Sequence, residues 1–307
     1  MNPPKVLLHL GLPKTATSSL QHNVFQRLHI EKRINFLGKC LNFDYQTGRL
    51  EVFNYRGKFI RRFAEGDFNL EEAKHELKNI LHRDLLNVFS DEGIMIAYPG
   101  KENLPLSEKI ANLYTLFEGY EVTVVVTLRD PVDYLYSLYV ELYPEFCASV
   151  KGLNTIQKYT QYLINNPSDV LFESFFFQSW LPILEKNFDL KVFEFEELST
   201  GDTLVYQRWS NLLGLDTCEF KERFEAKKVN VKSKQGKEAE KVSSFKYVES
   251  WFKRILSGNR VFFDTSKWLY RALGLNKLLN YRFSSRVTHQ YPQGEQFHQL
   301  KALLGKD

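Results

Sequence analysis

The chain has 307 residues, 43% of them hydrophobic and 15% aromatic, with 25 Phe and 16 Tyr, which is core material for one large domain or two small ones. Its net charge of +4, from 41 basic against 37 acidic residues, suits an anionic ligand and excludes the strongly basic balance of a dedicated nucleic-acid binder. Three widely spaced cysteines, Cys40, Cys147 and Cys218, exclude a disulfide framework and a metal-spaced cluster, and point to reduced thiols in a cytoplasmic setting.

In chain order, "KVLLHL" reads as a buried strand over Val6–Leu10. It is too short for a leader peptide, and no later segment approaches the roughly 18 continuous apolar residues of a membrane span. Leu20, Val24 and Leu28 then fall on one face of a helix. Between strand and helix lies "GLPKTATSS", a tight turn punctuated by Gly11 and Pro13. The first amides of a helix have no internal partners and lie at the positive end of its dipole, so the turn suits an anion, with Lys14 at its mouth. An alternative reading makes Thr15, Thr17 and Ser18 simple caps and Lys14 a solvated charge. The turn lacks the glycine that precedes the lysine in the phosphate loop of nucleotide triphosphatases, which argues against an ordinary ATP or GTP site.

Further strands are expected at Ile94–Tyr98, Val122–Leu128 and Lys191–Phe195, and helices at Leu70–Phe89 and Ser107–Phe117. This alternation predicts an α/β fold, a three-layer parallel sheet flanked by helices, with ligands beyond the carboxyl ends of the strands. Residues 42–69, which include "RGKFIRRF", read as a long excursion on the acceptor side. After Leu215 the pattern turns helical and basic. The expected division is a core over 1–216 and a packed, mostly helical extension over 217–307.

The segment "VTVVVTLRDPVDYLYSLYVELY" is the second informative stretch. Arg129 stands at the carboxyl end of a strand, Asp130 can cap the next helix, and Pro131 suits its first position. Ser137 lies two turns along. A guanidinium and a hydroxyl so placed can converge on one phosphate. The plainer alternative is a surface arginine pairing Asp133.

Together, "GLPKTATSSLQ" and "TLRDPVDYLYSLY" resemble the two cofactor signatures of sulfotransferases that use 3′-phosphoadenosine 5′-phosphosulfate (PAPS). "IMIAYPGKENL", "KVFEFEEL" and "WSNLLGLD" extend the likeness over roughly Val6 to Asp216, with gaps across residues 42–69. The resemblance implies a P-loop-like fold and transfer of a sulfuryl group from PAPS to a hydroxyl of a carbohydrate or glycoconjugate, with release of 3′-phosphoadenosine 5′-phosphate (PAP). It implies that Lys14 sits at the bridging oxygen, that the amides of Thr15, Ala16, Thr17 and Ser18 hold the 5′-phosphate, and that Arg129 and Ser137 hold the 3′-phosphate. Ala16 stands where the family usually has glycine, so a positive φ there would be strained. "AKKVNVKSKQGK" resembles the loop that closes over the adenosine, with Asn230 and Lys232 as ligand candidates; a solvated lysine run is the alternative.

The phosphate is already a good leaving group, so no metal is demanded. The proton acceptor is expected to be Glu102, on a loop after the second strand, with His9 as second choice and His22 weaker. The acceptor side is expected to take a carbohydrate or glycolipid. The amphipathic stretch over 251–279 allows peripheral contact with a membrane surface, though ordinary core packing is the favoured explanation. Competing readings are a non-catalytic nucleotide-binding protein of the same fold and a P-loop-like small-molecule kinase.

Overall fold

The computed structural model describes residues 3–44, 49–149, 153–226 and 290–305, together with 269 and 273. β1 (Lys5–His9) leads through a loop into a helical run of α1 (Thr17–Ser19), a π-helical turn (Leu20–Phe25) and α2 (Gln26–Ile30). β2 (Ile34–Phe36), a hairpin of β3 (Cys40–Asp44) and β4 (Arg49–Asn54), α3 (Lys58–Ala64) and α4 (Leu70–Ile80) follow. β5 (Leu86–Ser90), a 3-10 turn (Glu92–Met95) and α5 (Leu106–Leu116) precede β6 (Glu121–Leu128) and α6 (Pro131–Ser149). Next come α7 (Ile156–Asn165), a 3-10 turn (Val170–Phe175), α8 (Phe177–Asn187), β7 (Asp189–Glu194), α9 (Phe195–Thr200), α10 (Thr203–Leu213) and α11 (Thr217–Glu225). A further helix spans Gly294–Leu304.

Five strands form a parallel sheet in the order β2-β5-β1-β6-β7, and β3 pairs with β4 alone. Alternate residues feed two cores. Val6, Leu8, Val124 and Val126 face a cluster with residues of α3, α5, α6 and α8. Leu7, Val88 and Val125 face another with Leu20, Phe25, Trp209 and Phe220. A sheet buried on both faces needs such apolar runs, and the α/β architecture expected from the sequence is the one that forms. Among the described residues no helix is long and apolar enough to cross a membrane.

Two expected elements are corrected. Ile94–Tyr98 is not a strand: it enters the 3-10 turn and then runs unpaired. The carbonyls of Ile94 and Ile96 accept from the buried Lys109 ammonium, at 3.2 and 2.8 Å, in place of a ladder. The strand next to β1 is β5, within residues expected to end a helix; that helix stops at Ile80. Polar Asn87 disguised it. Its side chain is fully buried, donates to the carbonyls of Lys5 and His82 at 3.0 and 2.8 Å, and accepts from Asn35 at 2.7 Å.

Residues 42–69 are also more regular than expected, because the hairpin and α3 occupy most of them. Phe59, Ile60 and Phe63 of "KFIRRF" are buried in the core, so they are not free to stack on a ligand. The helix Gly294–Leu304 packs on α6 and α7, where Gln296 donates to the Gln157 carbonyl at 3.0 Å. Asn230, Lys232 and nearly all of the stretch over 251–279 lie outside the described residues.

Candidate functional site

The chain leaves β1 toward β2 at one edge and later lays β6 on the other side of β1, so strand order reverses there. A crevice at such a reversal, beyond the carboxyl ends of the strands, is where α/β sheets bind ligands. The loops after β1, β5 and β6 all open on that edge.

In the loop after β1, Lys14 and Ala16 adopt left-handed backbone, with φ of 70° and 63°. Ala16 is the residue before the helix and supplies no side-chain cap. Thr15 turns its hydroxyl back to the Leu12 carbonyl, at 2.6 Å, and so does not cap it either. Ser19 donates to the Ala16 carbonyl at 3.0 Å, where the helical ladder begins. The positive end of the helix therefore opens toward the loop without a carboxylate or hydroxyl cap from Ala16 or Thr15. Lys14 Nζ lies 3.0 Å from Glu141 Oε2 of α6, one helical turn beyond Ser137.

The loop after β6 meets the first one through Arg129. Its Nη1 donates to Ser137 Oγ at 3.1 Å and to the Lys14 carbonyl at 3.5 Å. Nη2 lies 3.8 Å from Asp133 Oδ2, and the guanidinium sits 5.0 Å from the Phe195 ring centroid. Its Nε is buried with no hydrogen-bond partner among the described residues. Asp130 caps α6 as expected, accepting from the amides of Val132 and Asp133 at 3.0 Å each. An arginine with an N–H unsatisfied among the described residues, a lysine and a helix start that neither Ala16 nor Thr15 caps are a donor set that an anion fits.

The loop after β5 carries what the sequence reading missed. Glu92 is the centre of a partly buried polar chain. Its Oε1 accepts from Lys39 Nζ at 2.9 Å and its Oε2 from Gln21 Nε2 at 3.0 Å. The same Gln21 amide donates to Ser90 Oγ at 3.0 Å, and Ser90 Oγ lies 2.8 Å from His9 Nδ1. Burial disfavours charge on Glu92, but Lys39 and the Gln21 donor outweigh it and hold the carboxyl below its ordinary range. Beside it, Asp91 accepts from the Tyr55 hydroxyl and lies 3.5 Å from Arg61 Nη1.

His9 is enclosed by Phe25 and Trp209, each with its ring centroid 5.6 Å away. Burial lowers its pKa to about 4 against the opposing pull of Glu92, so it is neutral at pH 7. Glu102 is exposed on a loop that follows the 3-10 turn, well past β5. The argument that placed a carboxylate directly after the second strand therefore falls on Asp91 and Glu92. "SDE" at the end of "LNVFSDE" was the available signal, once the strand is put in its place.

No family model matches the chain, and no curated protein matches it. Among solved structures, it is similar to a sulfotransferase from Alicyclobacillus acidocaldarius, at 12% identity and a TM-score of 0.41, over 71% of this chain and 83% of that one.

Proposed function

We propose that the chain is a PAPS-dependent sulfotransferase that modifies a hydroxyl of a carbohydrate or glycoconjugate. The observation that carries this reading is Arg129, which bonds Ser137 and reaches the Lys14 carbonyl and so joins two motifs that lie 115 residues apart. When bound, the donor supplies an activated sulfuryl group and a phosphate leaving group. Arg129 and Ser137 would grip the 3′-phosphate, the amides of Thr15 to Ser18 the 5′-phosphate, and Asn230 and Lys232 remain proposed ligands of the closing loop.

Lys14 would neutralise charge at the bridging oxygen as that bond breaks. To do so it must leave Glu141, which is half exposed. Such a pair is worth about 1 kcal/mol or less, so an incoming phosphate can displace it. Glu92 is the proton acceptor this geometry favours over Glu102 and His9. It is ionised, lies at the same strand edge, and keeps lone pairs beyond those used by Lys39 and Gln21.

Thermal melting tests the reading. PAP should stabilise the protein more than adenosine 5′-phosphate does, and Arg129→Ala should erase that difference, because the charge-assisted contacts to the 3′-phosphate are lost. Stabilisation by ATP with Mg²⁺ and none by PAP would favour a kinase instead. Labelled PAPS with a panel of hydroxylated acceptors then identifies the substrate.

A further inference from the structure

Lys39 stands between β2 and β3, outside every motif by which the chain was read. Its surroundings are nevertheless specific. The Lys39 amide donates to the Ser90 carbonyl at 2.8 Å, which docks its backbone on the end of β5. Neighbouring Gly38 allows this approach: a Cβ there would lie 2.4 Å from the Ser90 nitrogen and 2.7 Å from its oxygen. The side chain then reaches Glu92 Oε1, while Gln21, on the helical run that starts at the Lys14 loop, takes Oε2. One oxygen each, from two separate elements, leaves the carboxylate little freedom to rotate.

We infer that Lys39 is a positioning residue for the transfer reaction: with Gln21 it pins both oxygens of Glu92 and fixes the proton acceptor relative to the helix of the donor loop. The inference rests on the reading of Glu92 as that acceptor. The groups around Glu92 are His9 from β1, Lys39, its own neighbour Asp91, and Tyr98, with Arg61 of α3 paired to Asp91 and lying over the Tyr98 ring. Among the described residues Lys39 is the cation in direct contact. Removing it leaves a partly buried carboxylate held by neutral hydrogen-bond donors, Gln21 among them, and no longer by the adjacent cation, so Glu92 should take up a proton at higher pH.

The test is the pH dependence of sulfuryl transfer from PAPS. Lys39→Gln should move the acid limb of kcat upward by roughly one to two pH units, with the loss largely recovered at pH 8. PAP affinity should change less than about twofold, and Lys39→Arg should restore the wild-type limb. An equal loss at every pH, or an unchanged limb with a normal rate, overturns the inference and leaves the reading of Glu92 intact. Full activity in Glu92→Gln overturns both. If Lys39→Gln does not melt cooperatively, Gln21→Leu carries the same test, since it removes a neutral donor from the other oxygen; its acid limb should also rise.

Discussion

Lys14 and Ala16 hold left-handed backbone on either side of Thr15, where L residues are strained by about 1–2 kcal/mol each. Such strain persists where the surrounding fold imposes it, and here it turns the loop so that the helix amides face the strand edge. Ala16→Gly should therefore raise stability. Glycine relieves the strain but adds unfolded-state freedom, so the net gain should be about 0.5–1 kcal/mol, read in a chain of this length as a rise in Tm of about 1–2 °C. An unchanged or lower Tm would mean that the loop relaxes around alanine without strain. His9 gives a pH-dependent prediction. Its folded pKa, about 4, lies below the ordinary imidazole value of 6.5, so the unfolded chain binds the extra proton first. Its contribution is complete above pH 6.5 and is lost as pH falls toward 4, by about 3 kcal/mol in all. Between those limits the Tm of the wild type should fall more steeply than that of His9→Asn; parallel curves would place the titration elsewhere.

Gly38 shows how one element is fitted to another. It sits where the chain leaves β2 and crosses the end of β5, and a Cβ there meets backbone, which cannot rotate away. Gly38→Ala should cost about 1–3 kcal/mol and lower the rate of the proposed transfer, because Ser90 and Glu92 shift together. Wild-type stability and rate would show that the crossing has slack. The same crossing explains which elements were legible. β1 with its loop, and β6 with Arg129, Asp130 and Pro131, are signalled by residues adjacent in sequence, so pattern alone places them. β5 was hidden because Asn87 breaks its apolar run and finds its partners in Lys5, Asn35 and His82 only after folding. Ile94–Tyr98 has the apolar pattern of a strand, but its carbonyls are taken by Lys109. Glu92 was illegible for the same reason as β5. Lys39 and Gln21, which make it a candidate, are 53 and 71 residues away.

At the scale of the whole molecule, the reversal of strand order at β1 brings three loops to one edge, and the helix Gly294–Leu304 packs on α6, the helix that follows Arg129. Just before that helix, Tyr291 donates its hydroxyl to Asp133 Oδ1 at 2.7 Å and sets its ring against Tyr136, with centroids 5.2 Å apart. Asp133 is also the acidic neighbour of Arg129, at 3.8 Å from Nη2, a distance too long for a hydrogen bond. The tyrosine thus occupies one oxygen of a carboxylate that would otherwise be free to turn onto the guanidinium and compete with an incoming anion. Tyr291→Phe keeps the ring contact and removes only the donor. Asp133 should then close on Arg129, and PAP affinity should fall roughly fivefold, the worth of about 1 kcal/mol. Asp133→Asn, which removes the competing charge, should strengthen binding by a similar factor. Calorimetry with PAP measures both. If Tyr291→Phe binds PAP as the wild type does while Asp133→Asn binds it more tightly, Asp133 weakens the site but the C-terminal segment does not restrain it, and the helix serves only to cover the core.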